Sequence, residues 1–177
     1  RVQAAGASGV TVHARKAWLQ GLSPKENRDI PPLDYPLVHA MKAEFPDLPL
    51  SINGGIMDLD SVEKELEHMD GVMVGRAAYH NPAGILSAAD ARIFGGAPGP
   101  SREQAVARME PYIANHLAQG GTLHQVTRHM LGLYTGLPGA RGWRRALSEG
   151  ATQPGAGLEV LRAAQAHVRR QPPQAAE

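Results

Sequence analysis

Three short stretches of this sequence end in residues suited to gripping an anion. In VHARKAWLQGLSPKENR, residues 12–28, His13 closes an apolar run and Arg15 and Lys16 follow it. Such a cluster offers ring and cationic donors to a phosphate or an electron-rich ring. SINGGI, residues 51–56, ends another apolar run in Asn53, Gly54 and Gly55. An amide both donates and accepts, and glycines let a ligand reach backbone that a Cβ would block. GVMVGRAAYHNP, residues 71–82, repeats the pattern with Gly75 and Arg76, ahead of a segment from Ala77 that leads toward a helix. A guanidinium fork beside helix N-terminal amides reads as a phosphate seat. Taken singly, each stretch also fits an ordinary turn or a satisfied structural histidine. It is their recurrence on successive strand ends that points to an anion site.

A second group of residues suits nucleic acid. Between Ala14 and Tyr35 the chain shows little periodicity but carries Trp18, Lys25, Asn27 and Arg28. Long loops inside compact domains are commonly functional or disordered, and Trp18 favours the former. Lys25 and Arg28 have the chemistry to grip a phosphate backbone, with solvated loop charges as the alternative. In RHMLGLYTGLPGARGWRR, residues 128–145, Arg128, Arg141, Arg144 and Arg145 interleave with Tyr134 and Trp143. Two readings stand: aromatics and arginines hold RNA together, or Trp143 and Leu147 enter a core and leave the arginines in water. His124 and His129 lie five apart, off the i, i+4 spacing of a helical metal pair, and no metal is expected. No Ser-His-Asp order, P-loop or GxGxxG is present.

The elements that must position these residues follow a regular rhythm. Apolar runs at Gly9–His13, Leu48–Asn53 and Gly71–Val74 alternate with helical patterns at about Pro36–Phe45, Leu59–His68 and Pro82–Ile93. The runs lack clean alternation, as parallel strands covered on both faces do. Strand, loop and helix repeated in this way mean βαβ units and a parallel sheet, either doubly wound or part of a (β/α)₈ barrel. About 250 residues make a complete barrel, and this chain has 177. Asp58 or Asp60 is expected to cap the second helix, and Asp34 and Asp70 to serve turns or caps. GGAPGP, residues 95–100, reads as a domain boundary, giving expected domains at 1–95 and 96–170 and a disordered tail at 171–177. Beyond it, Ser101 with Gln104 fits a capping box for a helix to about Ala118, and Thr122–Leu131, Arg141–Ser148 and Gly157–Arg169 complete a small helical bundle.

Composition narrows the partners. The chain has no cysteine, which excludes disulfides, thiolate metal sites and a cysteine nucleophile of its own. No apolar run reaches the roughly 18–20 residues of a membrane span, and the start lacks a signal-peptide layout, so a soluble cytoplasmic protein is expected. Nine Lys or Arg face twelve Asp or Glu through Gly99, whereas nine Arg face five Glu from Pro100 onward. The second half is basic through arginine alone, which favours an anionic partner.

The strings HARKAWLQGLSPKENR, PPLDYP, SINGGI, HMDGVMVGRAAYHNP and RHMLGLYTGLPGARGWRR closely resemble the carboxyl-terminal part of the A-type tRNA-dihydrouridine synthases, from about Val2 to about Arg169. The resemblance implies the C-terminal portion of an FMN-binding (β/α)₈ TIM barrel, about three βα units, followed by a small helical domain that binds tRNA. It implies NADPH as reductant and uridines of the tRNA D-loop as substrate. Hydride passes to C6 of the uracil while a cysteine donates a proton to C5. Matched by motif, His13, Asn53, Gly54, Gly55, Gly75 and Arg76 are the FMN contacts, and Lys25, Arg28, Arg141 and Arg144 the tRNA contacts. The catalytic cysteine is expected upstream of Arg1, so this chain alone is expected to be inactive and the full-length enzyme to be a monomer. Two alternatives are a non-catalytic tRNA-binding remnant and another FMN-dependent TIM-barrel oxidoreductase.

Overall fold

A computed structural model describes residues 2–18 and 20–169. The chain divides into two compact units, Arg1–Ala77 and Ala78–Glu177. The first unit is α/β. Strands β1 (Val10–His13), β2 (Leu50–Asn53) and β3 (Gly71–Met73) form a parallel sheet in the order β1-β2-β3. Helix α1 (Tyr35–Glu44) links β1 to β2, and α2 (Leu59–Leu66) links β2 to β3. The register sets His13 opposite Asn53 and Asn53 opposite Met73, so the strands end level with one another.

Burial in β1 and β2 alternates, contrary to the expectation of two covered faces. Leu50 and Ile52 are buried while Ser51 and Asn53 are half-buried, and Thr11 and His13 are exposed. One face packs on Val38, Leu48 and Met69, and among the described residues of this unit no such cluster covers the other. Burying a side chain such as Ile52 is worth about 1.5–3 kcal/mol.

Local signals fix the helix starts. The Asp34 carboxylate accepts the Leu37 N–H at 3.2 Å with Pro36 in the first turn of α1. Asp58, rather than Asp60, caps α2 by accepting the Ser61 N–H at 2.8 Å. Asp70 does more than close a turn. Its carboxylate accepts the Leu50 N–H at 2.7 Å and pairs with Lys42 at 2.8 Å, tying α1 to the first residue of β2. Those two donors hold its carboxyl below the ordinary carboxylate value, Lys42 contributing most. Buried Glu65 of α2 meets His39 of α1 at 2.8 Å, which gives its carboxylate a partner inside the unit.

The second unit is helical in its described residues. After the end of the short α3 (Arg76–His80) come α4 (Pro82–Phe94), α5 (Arg102–Ala118), α6 (Leu123–Thr127), α7 (Ala140–Gly150) and α8 (Leu158–Arg169). Ser101 and Gln104 make the reciprocal capping box at the start of α5. The glycine-proline stretch after α4 lies within this unit and folds back, the Gly99 N–H reaching the Ser87 carbonyl at 2.9 Å. Trp143 and Tyr134 meet edge to face at 4.9 Å in a core with Val106, Ile113, Leu147 and Leu161.

Helix α6 ends at Thr127, short of the expected Leu131. From there the backbone tightens into i to i+3 bonds, and the Met130 carbonyl accepts both the Leu133 N–H and the Trp143 indole N–H. A tertiary partner has taken a carbonyl that a continuing helix needs. Residues 171–177, expected as a tail, lie outside the described residues.

Candidate functional site

At the carboxyl ends of the three strands lies a cleft of ≈ 230 Å³. His13, Asn53, Gly54, Gly55, Gly75 and Arg76 all line it, joined by Arg15 and Arg28. The structure therefore brings together the six residues that the sequence singled out on successive strand tips.

Each is held by its own chain. The Asn53 amide donates to the Met73 carbonyl at 2.7 Å, clamping β2 to the end of β3. His13 Nδ1 accepts the Arg15 backbone N–H at 3.2 Å. That bond assigns the ring proton to Nε2, leaving a donor for a partner. Gly54 and Gly55 have φ of 111° and 72°, and a Cβ on Gly55 would meet Leu33 Cδ1 at 2.4 Å. The left-handed backbone thus favours glycine at position 55, and any larger residue would also have to displace the end of the Leu33 side chain. Gly75 differs: a Cβ there would meet nothing within 4 Å and φ is not positive. The chain itself imposes no need for glycine at 75, whereas a ligand backbone approach would.

Arg76 does not stand alone. One terminal nitrogen donates to Asp29 at 2.7 Å and the other to the Arg28 carbonyl at 3.4 Å. The bond from Arg76 holds the Asp29 carboxyl below its ordinary value. Asp29 escaped sequence reasoning because it lies 47 positions away, with no local pattern joining the two. Tyr35 escaped too, though its hydroxyl donates to the Gly54 carbonyl at 2.5 Å and fixes the glycine turn. Its place in PPLDYP, beside the other matched strings, was the available signal.

The long loop is ordered by its own hydrogen bonds. The Asn27 amide clasps the Trp18 backbone on both sides, at 2.9 and 2.8 Å, so it serves the loop rather than a ligand. Glu26 and Ser23 cap one another, and Arg28 Nε donates to the Pro24 carbonyl at 3.0 Å. Arg28 lies on the cleft wall and Lys25 is exposed. Lys16 turns away from the expected phosphate field and pairs with Asp34 at 3.3 Å. The expected helix behind Gly75 is a single stretch of five residues, Arg76–His80. So short an element carries little dipole, and charge in the cleft comes from its three arginines.

In the second unit Arg141, Arg144 and Arg145 are exposed while Trp143 and Tyr134 are buried. Of the two readings of that motif, the aromatics belong to the core and have no face for a base. A larger cavity, ≈ 570 Å³, lies beside α6 and the 152–157 loop, but His124 is the one titratable residue on its wall. Among the described residues no helix is long and apolar enough to cross a membrane.

Parallel strands whose tips converge on an arginine-lined cleft define an α/β unit with its candidate site at the strand ends. The chain belongs to the dihydrouridine synthase family, whose model matches residues 1–169. It is 60% identical over 151 residues to the tRNA-dihydrouridine(20/20a) synthase of Escherichia coli (strain K12), covering 85% of this chain and 44% of that protein. It is 54% identical over 164 residues to the protein of the same name from Shewanella oneidensis, covering 92% and 49%. The corresponding protein of Vibrio cholerae serotype O1 is 52% identical over 164 residues, covering 92% and 50%. The chain thus spans about half the length of the curated relatives it matches.

Proposed function

We propose that this chain supplies the phosphate end of the flavin site and part of the RNA-binding surface of an FMN-dependent tRNA-dihydrouridine synthase. The observation that carries this reading is the shared cleft at the level ends of β1, β2 and β3, lined by Arg15, Arg28 and Arg76. Open space over Gly75 fits a ligand group lying against its backbone. The cleft is smaller than the roughly 300–1,000 Å³ of a complete small-molecule site. It suits one end of a nucleotide cofactor, the remainder of the site coming from the other barrel units of a whole TIM barrel.

Bound FMN, reduced by NADPH, supplies the hydride that saturates the C5–C6 bond of a uracil ring. Within this chain, Arg76 neutralises the cofactor phosphate, His13 donates from Nε2, and the Gly54–Gly55 and Gly75 backbone leaves room for close contact. Asp29 holds the Arg76 guanidinium at the cleft mouth. With no cysteine in the chain, the proton for C5 comes from elsewhere in the whole protein, and the chain alone is inactive. Lys25, Arg28, Arg141 and Arg144 meet the tRNA backbone, and residues 96–170 form a tRNA-binding domain. The relatives' printed names suggest positions 20 and 20a of the D-loop as the targets. A soluble monomer in the cytoplasm is the setting this reading requires.

The test uses the full-length protein, purified with FMN and incubated with NADPH and unmodified tRNA. Conversion of uridine at 20 or 20a to dihydrouridine, read by mass spectrometry, is the expected result. A flavin-loaded protein that leaves every uridine intact overturns the reading.

A further inference from the structure

The second unit carries a cluster, built from Tyr79, His80 and the RHMLGLY string, that the flavin and tRNA contacts named above do not use. Tyr79 is 54% exposed, yet its ring is fixed. Its hydroxyl bonds His129 Nδ1 at 2.9 Å, and its ring makes T-shaped contacts with His80 at 5.6 Å and with His129 at 6.0 Å. The other nitrogen of His129, Nε2, accepts Arg128 Nε at 3.0 Å. With Nε2 accepting, the His129 proton sits on Nδ1 and is donated to the tyrosine oxygen. Both partners of the imidazole are thereby assigned, and the terminal amino groups of Arg128 have no protein partner among the described residues.

The backbone beneath this cluster is built for close contact. A Cβ on Gly132 would come within 2.4 Å of the His80 carbonyl oxygen. Thr135 Oγ1 donates to that same carbonyl at 2.9 Å. Residues 132–135 therefore seat directly under Tyr79 and His80, and glycine at 132 is what permits it. An exposed aromatic ring usually loses rotamer freedom when it binds, a cost that this fixed ring has already met in folding.

We propose that Tyr79, His129 and Arg128 form a further RNA contact, in which an unpaired base stacks on the Tyr79 ring and Arg128 meets the adjoining phosphate. The inference rests on the reading of the whole protein as a tRNA-modifying enzyme. A rigid aromatic face beside a guanidinium is the arrangement that holds unpaired bases without reading their edges. The surplus of arginine from Pro100 onward gives the surrounding surface the matching charge. The role that Tyr134 and Trp143 cannot fill from the core thus falls to a tyrosine outside the arginine motif.

The experiment measures tRNA affinity of the full-length, FMN-loaded protein by fluorescence anisotropy across a salt series. Tyr79→Leu, which keeps apolar bulk but no π face, is expected to weaken binding about tenfold. Tyr79→Phe keeps the face and loses the His129 bond, and is expected to weaken binding less than Tyr79→Leu does. Arg128→Gln is expected to lower the salt slope by about one. Tyr112→Leu is the control, because Tyr112 is 57% exposed and stacks on His116 elsewhere on α5. Thermal melting of each variant separates lost contact from lost fold. Tight wild-type binding with Tyr79→Leu equal to Tyr112→Leu overturns the platform alone, whereas wild-type protein that binds no tRNA at low salt overturns the tRNA reading beneath it.

Discussion

The strand-tip cleft and the arginine-bearing surface around α7 use the same cation in opposite ways. In the cleft, Arg76 and Arg15 are tethered, to Asp29 and to the Asp29 and Pro31 carbonyls, and the glycine turn is fixed by Tyr35. On α7, Arg141 and Arg144 are exposed and have no fixed partner among the described residues. On the same helix Trp143, which lies between them, and Leu147, which follows them, are anchored in the core. Tethered donors at set distances select one ligand shape, whereas loose charges raise affinity for any polyanion and fade with salt. That contrast is what the proposed cofactor site and the proposed nucleic-acid surface require of one sequence.

The comparison breaks most visibly if the anchor of the second region is removed. Trp143→Ala takes out a fully buried ring and its bond to the Met130 carbonyl, and is expected to cost about 3–5 kcal/mol in denaturant unfolding of the full chain. A loss below about 1 kcal/mol contradicts the core assignment of that ring.

A sharper contrast pits two glycines of the cleft against each other. Gly55→Ala forces a side chain into left-handed backbone and against Leu33, for an expected loss of about 1–3 kcal/mol in stability. Gly75→Ala projects into open space, so stability should move by less than about 0.5 kcal/mol. Its FMN retention, read by flavin fluorescence after gel filtration of the full-length protein, should nevertheless fall. If Gly75→Ala retains flavin like the wild type, the cleft is not where the cofactor meets the backbone.

The division of labour predicts crossed effects from two arginines. Arg76→Ala is expected to weaken FMN retention by roughly tenfold, as loss of a charge-assisted bond does, and to leave tRNA affinity within about twofold. Arg144→Ala should do the reverse and reduce the salt slope of tRNA binding by about one. Equal losses of both ligands in both variants erase the distinction.

The smallest expected effect is on acid stability. The Asp70 carboxyl is held below its ordinary 3.8 by Lys42 and the Leu50 N–H. A depressed value in the folded state means the contribution is complete above the unfolded value and is lost as pH falls through the lowered one. Asp70→Asn should therefore flatten the stability profile below about pH 4 and leave it unchanged in shape near neutrality. A profile whose acid limb is identical to the wild type contradicts the bridge between α1 and β2.

Much of the fold was legible because its signals are local. Asp34, Asp58 and Ser101 cap the helices that their positions announced, and the three apolar runs became the three strands to within a residue or two at each end. The six cleft residues were legible for a related reason. Parallel strands connected by helices carry their functional groups at one end, so residues just after each strand must meet.

What the sequence left open was settled by packing at a distance. Nothing in RHMLGLYTGLPGARGWRR distinguishes a tryptophan for RNA from a tryptophan for the core, yet Trp143 is buried and Tyr79 is not. Asp29 and Arg76, 47 positions apart, meet only because the loop closes over the strand ends. Element type follows from neighbours along the chain, since hydrogen-bonded turns and alternating faces are short-range geometry. Which side chain meets water, and which charge finds a partner, depends on surfaces that come together only when the chain has folded.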